Sequence, residues 1–214
     1  MWNCGAWSVA FLRLAAVCVL GGLFPVESVG RETPSVAGET AVYMCDRAAA
    51  APWDTDAVDV PSRVAFRDVN AAFAIPACRR AIDMNPGLRR LSFQLGRAYD
   101  RQGANQDAYH AYKRAADLGS AAAKVNIGIL YHQGRRFEKS DVKARMWFQE
   151  AAEMGLAEGM FCYATALDNG IGGRPDGAAA RGWYLKAAQL GTAKARDTLV
   201  RLDIDGPGTG ARCD

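Results

Sequence analysis

Cysteine and histidine are the residues from which this 214-residue chain would build a metal or nucleophile site, and it has six of one and two of the other. Cys4 and Cys18 lie at the N-terminus, Cys45, Cys78, Cys162 and Cys213 are spread through the remainder, and the histidines are His110 and His132. No two cysteines form a CxxC pair, so the ligand spacing of a zinc site is missing, and neither metal nor cofactor is expected. HExxH, GxSxG and GxxxxGK[ST] are absent too, and no catalytic residue is assigned. The chemistry left to the cysteines is pairing. Four of them allow three connectivities, among which sequence alone does not choose. Position favours Cys45–Cys78: both lie in a less regular N-terminal region, where a thin core gains most from a staple contributing about 3–4 kcal/mol. Cys162 falls in a strongly periodic helix and is expected as a small buried hydrophobe. Cys213, next to last in a Gly-rich segment, is expected free.

Pairing requires an oxidising compartment, and the N-terminus points to one. Residues 14–24 (LAAVCVLGGLF) are an uncharged, mostly apolar run, flanked by Arg13 and followed by the turn-prone PVESVG. That run has the length of a signal-peptide core and is too short for a membrane span of about 20 residues. We read residues 1–30 as a cleaved export signal, residues 31–42 as a flexible lead-in, and the mature protein as periplasmic or secreted with no membrane span. The alternative, an N-terminal anchor over residues 6–24, would put Arg13 near mid-membrane at about 2.5–3.5 kcal/mol.

The elements that position these residues follow from self-similarity. YKRAADLG (112–119), FQEAAEMG (148–155) and YLKAAQLG (184–191) recur at a spacing of 36 residues, and GSAAAKVNIGILYHQG (119–134) aligns with GLAEGMFCYATALDNG (155–170) at the same offset. An earlier copy, LSFQLGRAYDRQG (91–103), has a following loop shorter by four residues, and GTAKARDTLVRLD (191–203) is a terminal partial copy without its second helix. Each unit reads as two helices. Helix A carries one apolar face through Val125, Ile127, Gly128, Leu130 and Tyr131 and ends at Gly134. Helix B starts from a polar cap, Ser140 or Asp176, buries Ala144, Trp147, Phe148 and Ala151, and closes at Gly155. Gly128 permits close approach of the helix backbones beside an aromatic pair. Gly159 and Gly182 sit at helix-favouring positions and make the third unit the least rigid by propensity. One hairpin cannot bury its own face, so copies must stack, and the fold class is all-α, a right-handed α-solenoid. Alanine, 40 of 214 residues, suits such close helix packing.

These columns, Ala-x-Ala-x4-Gly-x2-Tyr in helix A together with NGIGGRPDGAAARGWYLKAAQLG (169–191) as loop and helix B, resemble Sel1-like repeats, relatives of tetratricopeptide repeats, over residues 87–203. The repeats divide as 87–119, 120–155, 156–191 and a partial 192–203. CDRAAAAPWD (45–54) and AIPACRRAIDMNP (74–86) are similar to an N-terminal module of exported bacterial repeat proteins. That resemblance implies a capping module at 43–86 held by Cys45 and Cys78, with Pro76 opening a helix. Residues 204–214 are expected to be a disordered tail.

Charge narrows the partners. With 26 Lys+Arg against 23 Asp+Glu the net charge is only +3, which disfavours a nucleic-acid binder. The resemblance implies a scaffold for a protein or peptide partner, an adaptor or regulator in the bacterial envelope, rather than an enzyme. The alternative is an exported hydrolase of cell-wall or β-lactam substrates. In solenoids of this kind helix A lines the binding face, and Lys124, Asn126, His132 and Met160 are the candidate contact residues. Lys124 and Asn126 together would form a polar clamp on a peptide.

Overall fold

The computed structural model describes residues 36–56, 63–135, 138–208 and 210–213, all within one compact unit spanning residues 34–214. The export signal expected at 1–30 lies outside the described residues.

Helices come in hairpins because each helix has one small-residue face to bury. The described residues form α1 (Val36–Ala49), α2 (Ala71–Met84), α3 (Arg89–Gln102), α4 (Asn105–Asp117), α5 (Ala121–Gln133), α6 (Asp141–Glu153), α7 (Ala157–Asp168), α8 (Gly177–Gln189) and α9 (Ala193–Asp205), with a single 3-10 turn at Phe66–Asp68. α3 packs on α4, α5 on α6 and α7 on α8, and each hairpin packs on the next, giving an all-α solenoid. α3, α5, α7 and α9 are the A helices of the repeat, and α4, α6 and α8 the B helices.

The aromatic of helix B sits directly on the small residue of helix A. A Cβ on Gly128 would stand 2.5 Å from Cε1 of Phe148, and Gly96 meets the ring of Tyr112 in the same way. Tyr112, Phe148 and Tyr184, one per hairpin, are all buried. The caps are those the sequence offers: Ser140 Oγ accepts from the Lys143 N–H, and Asp176 Oδ1 accepts from the Ala179 N–H at 3.0 Å. Gly134 (φ 66°) and Gly155 (φ 86°) end their helices in the left-handed region, where a side chain would be strained. Gly159 also has a packing role. A Cβ there would lie 2.8 Å from the Ala151 carbonyl carbon, so this glycine lets α7 approach α6.

Three expectations change. Helix α1 begins at Val36, inside the expected lead-in, because Ala41, Cys45, Ala48 and Ala49 recur on one face and are buried against α2. Pro76 does not open α2. Asn70 does, its Oδ1 accepting from the Phe73 N–H at 3.3 Å, and Pro76 lies exposed inside the helix. The tail is ordered where it is described: Cys213 is bonded to Cys162, Ala211 is buried, Gly208 N–H donates to Asp168 Oδ1 (2.9 Å), and Asn169 Nδ2 donates to the Ala211 carbonyl (3.0 Å). Cys162 is thus buried as expected but paired, and Cys213 is not free.

The second disulfide joins Cys45 of α1 to Cys78 of α2 with Cα atoms 4.6 Å apart. Both residues are fully buried in a separate small core made by α1, α2 and Leu91 and Ala98 of α3. Polar side chains tie this module to the first repeat. Gln94 Nε2 donates to Asp46 Oδ1 at 2.8 Å, and the buried Arg97 guanidinium donates to the carbonyls of Ala49 and Val64. Farther along, Asp100 accepts from Arg135 and from the Tyr112 hydroxyl, which links α3, α4 and the end of α5.

Candidate functional site

The 36-residue period fixes which side chains share a wall. Glu158 and Lys194 occupy the same column of successive A helices and meet at 3.7 Å, and Asn126 occupies the column of Cys162. Side chains of α3, α5, α7 and α9 line a groove of about 570 Å³ through Arg97, Val125, Asn126, Ile129, Glu158 and Lys194, among others. The opposite wall is not part of the repeat. Pro52 and Trp53, from the loop after α1, and Phe66 close the groove, and a neighbouring cavity of about 620 Å³ shares Pro52, Trp53, Glu158 and Lys194 with it.

That loop is held by its own hydrogen bonds. Arg63 donates to the carbonyls of Ala51 (3.2 Å) and Asp54 (2.9 Å), and the Trp53 ring stands edge-on to Phe93 with centroids 5.8 Å apart. Asp54 is almost fully buried. Its Oδ1 accepts from the Asp56 N–H at 3.0 Å, while Oδ2 has no hydrogen-bond partner among the described residues. Burial, which penalises the carboxylate, raises its pKa to about 6, against the hydrogen bond from Asp56. Burial also raises Glu158, partly offset by Lys194. The guanidinium of Arg97 is shifted down by the same desolvation.

The structure separates the four residues expected to contact a partner. Asn126 lines the groove, its Nδ2 donating back to the Ala122 carbonyl at 3.4 Å. Lys124 pairs instead with Glu150 of α6, with Nζ 5.6 Å from the centre of the Trp147 ring. Met160 is half-buried against the main core. His132 Nδ1 lies 2.7 Å from Asp141 Oδ1 at the junction of α5 and α6. The Lys124–Asn126 clamp is therefore not formed: the two side chains have different surroundings. The groove residues that the sequence reading missed are Trp53, Arg97, Glu158 and Lys194. Only Glu158 and Lys194 carried a signal, their shared column.

Chemically the groove offers the Asn126 amide and the ammonium and carboxyl groups of Lys194 and Glu158 beside an aromatic wall, a mixture suited to peptide backbone and side chains. His132 and Cys162 line one cavity of about 240 Å³, but the Cys162 sulfur is bonded to Cys213 and is no nucleophile. Among the described residues no group of three or more His, Cys, Asp or Glu is placed to hold a metal ion, and no helix is long and apolar enough to cross a membrane.

Stacked hairpins with a groove along their A helices define the class: an α-solenoid repeat scaffold. The Sel1 repeat family model matches residues 121–156 and 157–192, two successive units of this repeat. It is similar to the crystal structure of a Sel1 repeat protein from Oxalobacter formigenes, at 27% identity and a TM-score of 0.51, covering 57% of this chain and 94% of that one. It is also similar to a protective antigen present in uropathogenic Escherichia coli strains that displays an SLR fold, at 29% identity and a TM-score of 0.57, covering 65% of this chain and 30% of that one. An F-box protein of Arabidopsis thaliana is 34% identical over 76 residues, 35% of this chain, and the match spans only 21% of that protein.

Proposed function

We propose that this protein is a binding scaffold that takes an extended segment of a partner protein along the groove between the loop at 50–56 and the A helices. The observation that carries this is the wall itself: Arg97, Asn126, Glu158 and Lys194 come from four successive A helices and face Trp53 across one cavity. A partner segment lying there would meet an aromatic edge on one side and alternating polar groups on the other. The two units that match the Sel1 repeat model support a protein partner. The apolar run at 14–24 and two disulfides support an exported protein, an adaptor or regulator in a bacterial envelope. The hydrolase alternative gains no support from the groove, where no serine, cysteine or histidine is among the described lining residues.

The test is in-cell photo-crosslinking from two positions of the full-length protein. A crosslinking residue at Gln133, which lines the groove, is expected to capture a protein partner. The same residue at Met146, exposed on α6, is expected to capture none. Equal capture from both positions, or none from Gln133, would remove the groove as the binding face.

A further inference from the structure

The A-helix face of α7 is already occupied, by the chain's own tail. Cys162 sits in the column of Asn126, which lines the groove, and its bond to Cys213 holds the tail against that face. The path is fixed at three further points. Pro207 lies against the start of α8 at Gly177, Gly208 N–H donates to Asp168 Oδ1, and Asn169 Nδ2 donates to the Ala211 carbonyl. A cavity of about 240 Å³ remains beneath Ala211, Arg212 and Cys213, and Gln133 lines both this cavity and the groove. The covered face is thus continuous with the groove and lies one repeat farther along it.

The two disulfides differ in access. Cys45 and Cys78 are both fully buried, whereas in the other pair Cys162 is fully buried and Cys213 only partly so. Exchange begins by attack of a thiolate on a sulfur, and of the four bonded cysteines only Cys213 is not fully buried.

We propose that residues 206–208 and 210–213 are parts of a disulfide-held plug on the A-helix face of α7, which a dithiol reductant releases so that a partner segment seated in the groove extends onto that face. One thiolate of the reductant attacks Cys213 Sγ, the Sγ–Sγ bond breaks, and the Cys162 thiolate leaves and takes up a proton. The second thiol of the reductant then resolves the mixed disulfide, leaving two thiols on the chain and one disulfide on the reductant. Asn169 Nδ2, released from the Ala211 carbonyl, offers a donor to the partner's backbone. This rests on the groove reading above.

Three readouts on the full-length chain test it. In a titration with dithiothreitol followed by alkylation and mass spectrometry, Cys162 and Cys213 are expected to open at a reductant concentration at least tenfold below that needed for Cys45 and Cys78. In Cys213→Ser, hydrogen-exchange protection of the Gly208 amide is expected to fall at least tenfold, with helical circular dichroism unchanged. A synthetic peptide of residues 206–214, carrying serine for Cys213, is expected to shift the amide resonances of Thr165 to Asn169 in that variant at millimolar concentration and to leave oxidised wild type unmoved. Simultaneous opening of both bonds, a Gly208 amide as protected in the variant as in wild type, or an equal response of the two proteins to the peptide would each overturn the plug. Capture from Gln133 is independent of all three. If it fails while the tail is released as expected, the groove reading falls; if it succeeds and Gly208 stays protected, only the plug falls.

Discussion

A methyl group on Gly128 would stand 2.5 Å from Cε1 of Phe148, so the glycine and the ring together fill a space with no room for a side chain. The contact crosses from α5 to α6 and recurs between Gly96 and Tyr112. It sets how closely the two helices of a hairpin lie.

Gly128→Ala is therefore expected to destabilise the fold by about 1–3 kcal/mol, since a rigid ring must shift in a packed core. Ordinarily Gly→Ala inside a helix gains about 0.5–1 kcal/mol, so the sign itself reports the contact. Urea denaturation of the variant measures it.

Gly182 supplies the control. It lies in the interior of α8 with nothing within 4 Å of where its Cβ would be. Gly182→Ala is expected to stabilise by about 0.5–1 kcal/mol through helix propensity alone. Gly159→Ala, in the same repeat, is expected to destabilise because of the Ala151 carbonyl 2.8 Å away. The urea midpoints of the two variants should move in opposite directions.

Replacing Cys45 and Cys78 together by alanine is expected to lower stability by about 4 kcal/mol, from the loop of 33 residues that the bond closes. The loss should appear as a separate, earlier transition of the α1–α2 module if its small core melts alone. Tryptophan fluorescence follows it, because Trp53 packs on Phe93 at the junction with the first repeat.

The raised pKa of Asp54 makes a signed prediction. Its folded-state value of about 6 lies above the ordinary 3.8, so between these values the folded chain binds more protons than the unfolded one. Stability is expected to fall as pH rises from about 4 to 6, by up to about 3 kcal/mol, and to level off above. Asp54→Asn should remove this fall and be the more stable form at pH 7. Thermal unfolding of both proteins across that range checks it.

The hairpins were legible because their causes are local and repeated. A period of 36, a glycine beneath an aromatic and the polar caps Ser140 and Asp176 are all written along the chain. The tail was not, since a disulfide partner 51 residues away leaves no periodic trace, and Gly-rich composition alone reads as disorder. Helix α1 and the position of Pro76 were misplaced for a related reason: α1 is held by tertiary burial of Ala41 and Cys45, and Asn70 outranks proline as a start. The groove was half legible. The repeat columns would have paired Glu158 with Lys194, but nothing in the sequence places the loop bearing Trp53 across the A helices. Lys124 and Asn126 stand two residues apart, about 200° around a helix, so geometry already opposed a shared face.

That separation gives the most direct test of the groove. With the partner captured from Gln133 in hand, its affinity for wild type, Asn126→Ala and Lys124→Ala is measured by calorimetry. The groove account predicts at least a tenfold loss for Asn126→Ala and a change within twofold for Lys124→Ala, whose ammonium is engaged with Glu150. Loss on Lys124→Ala with Asn126→Ala unaffected would contradict it and move the binding face to the α5–α6 side of the solenoid.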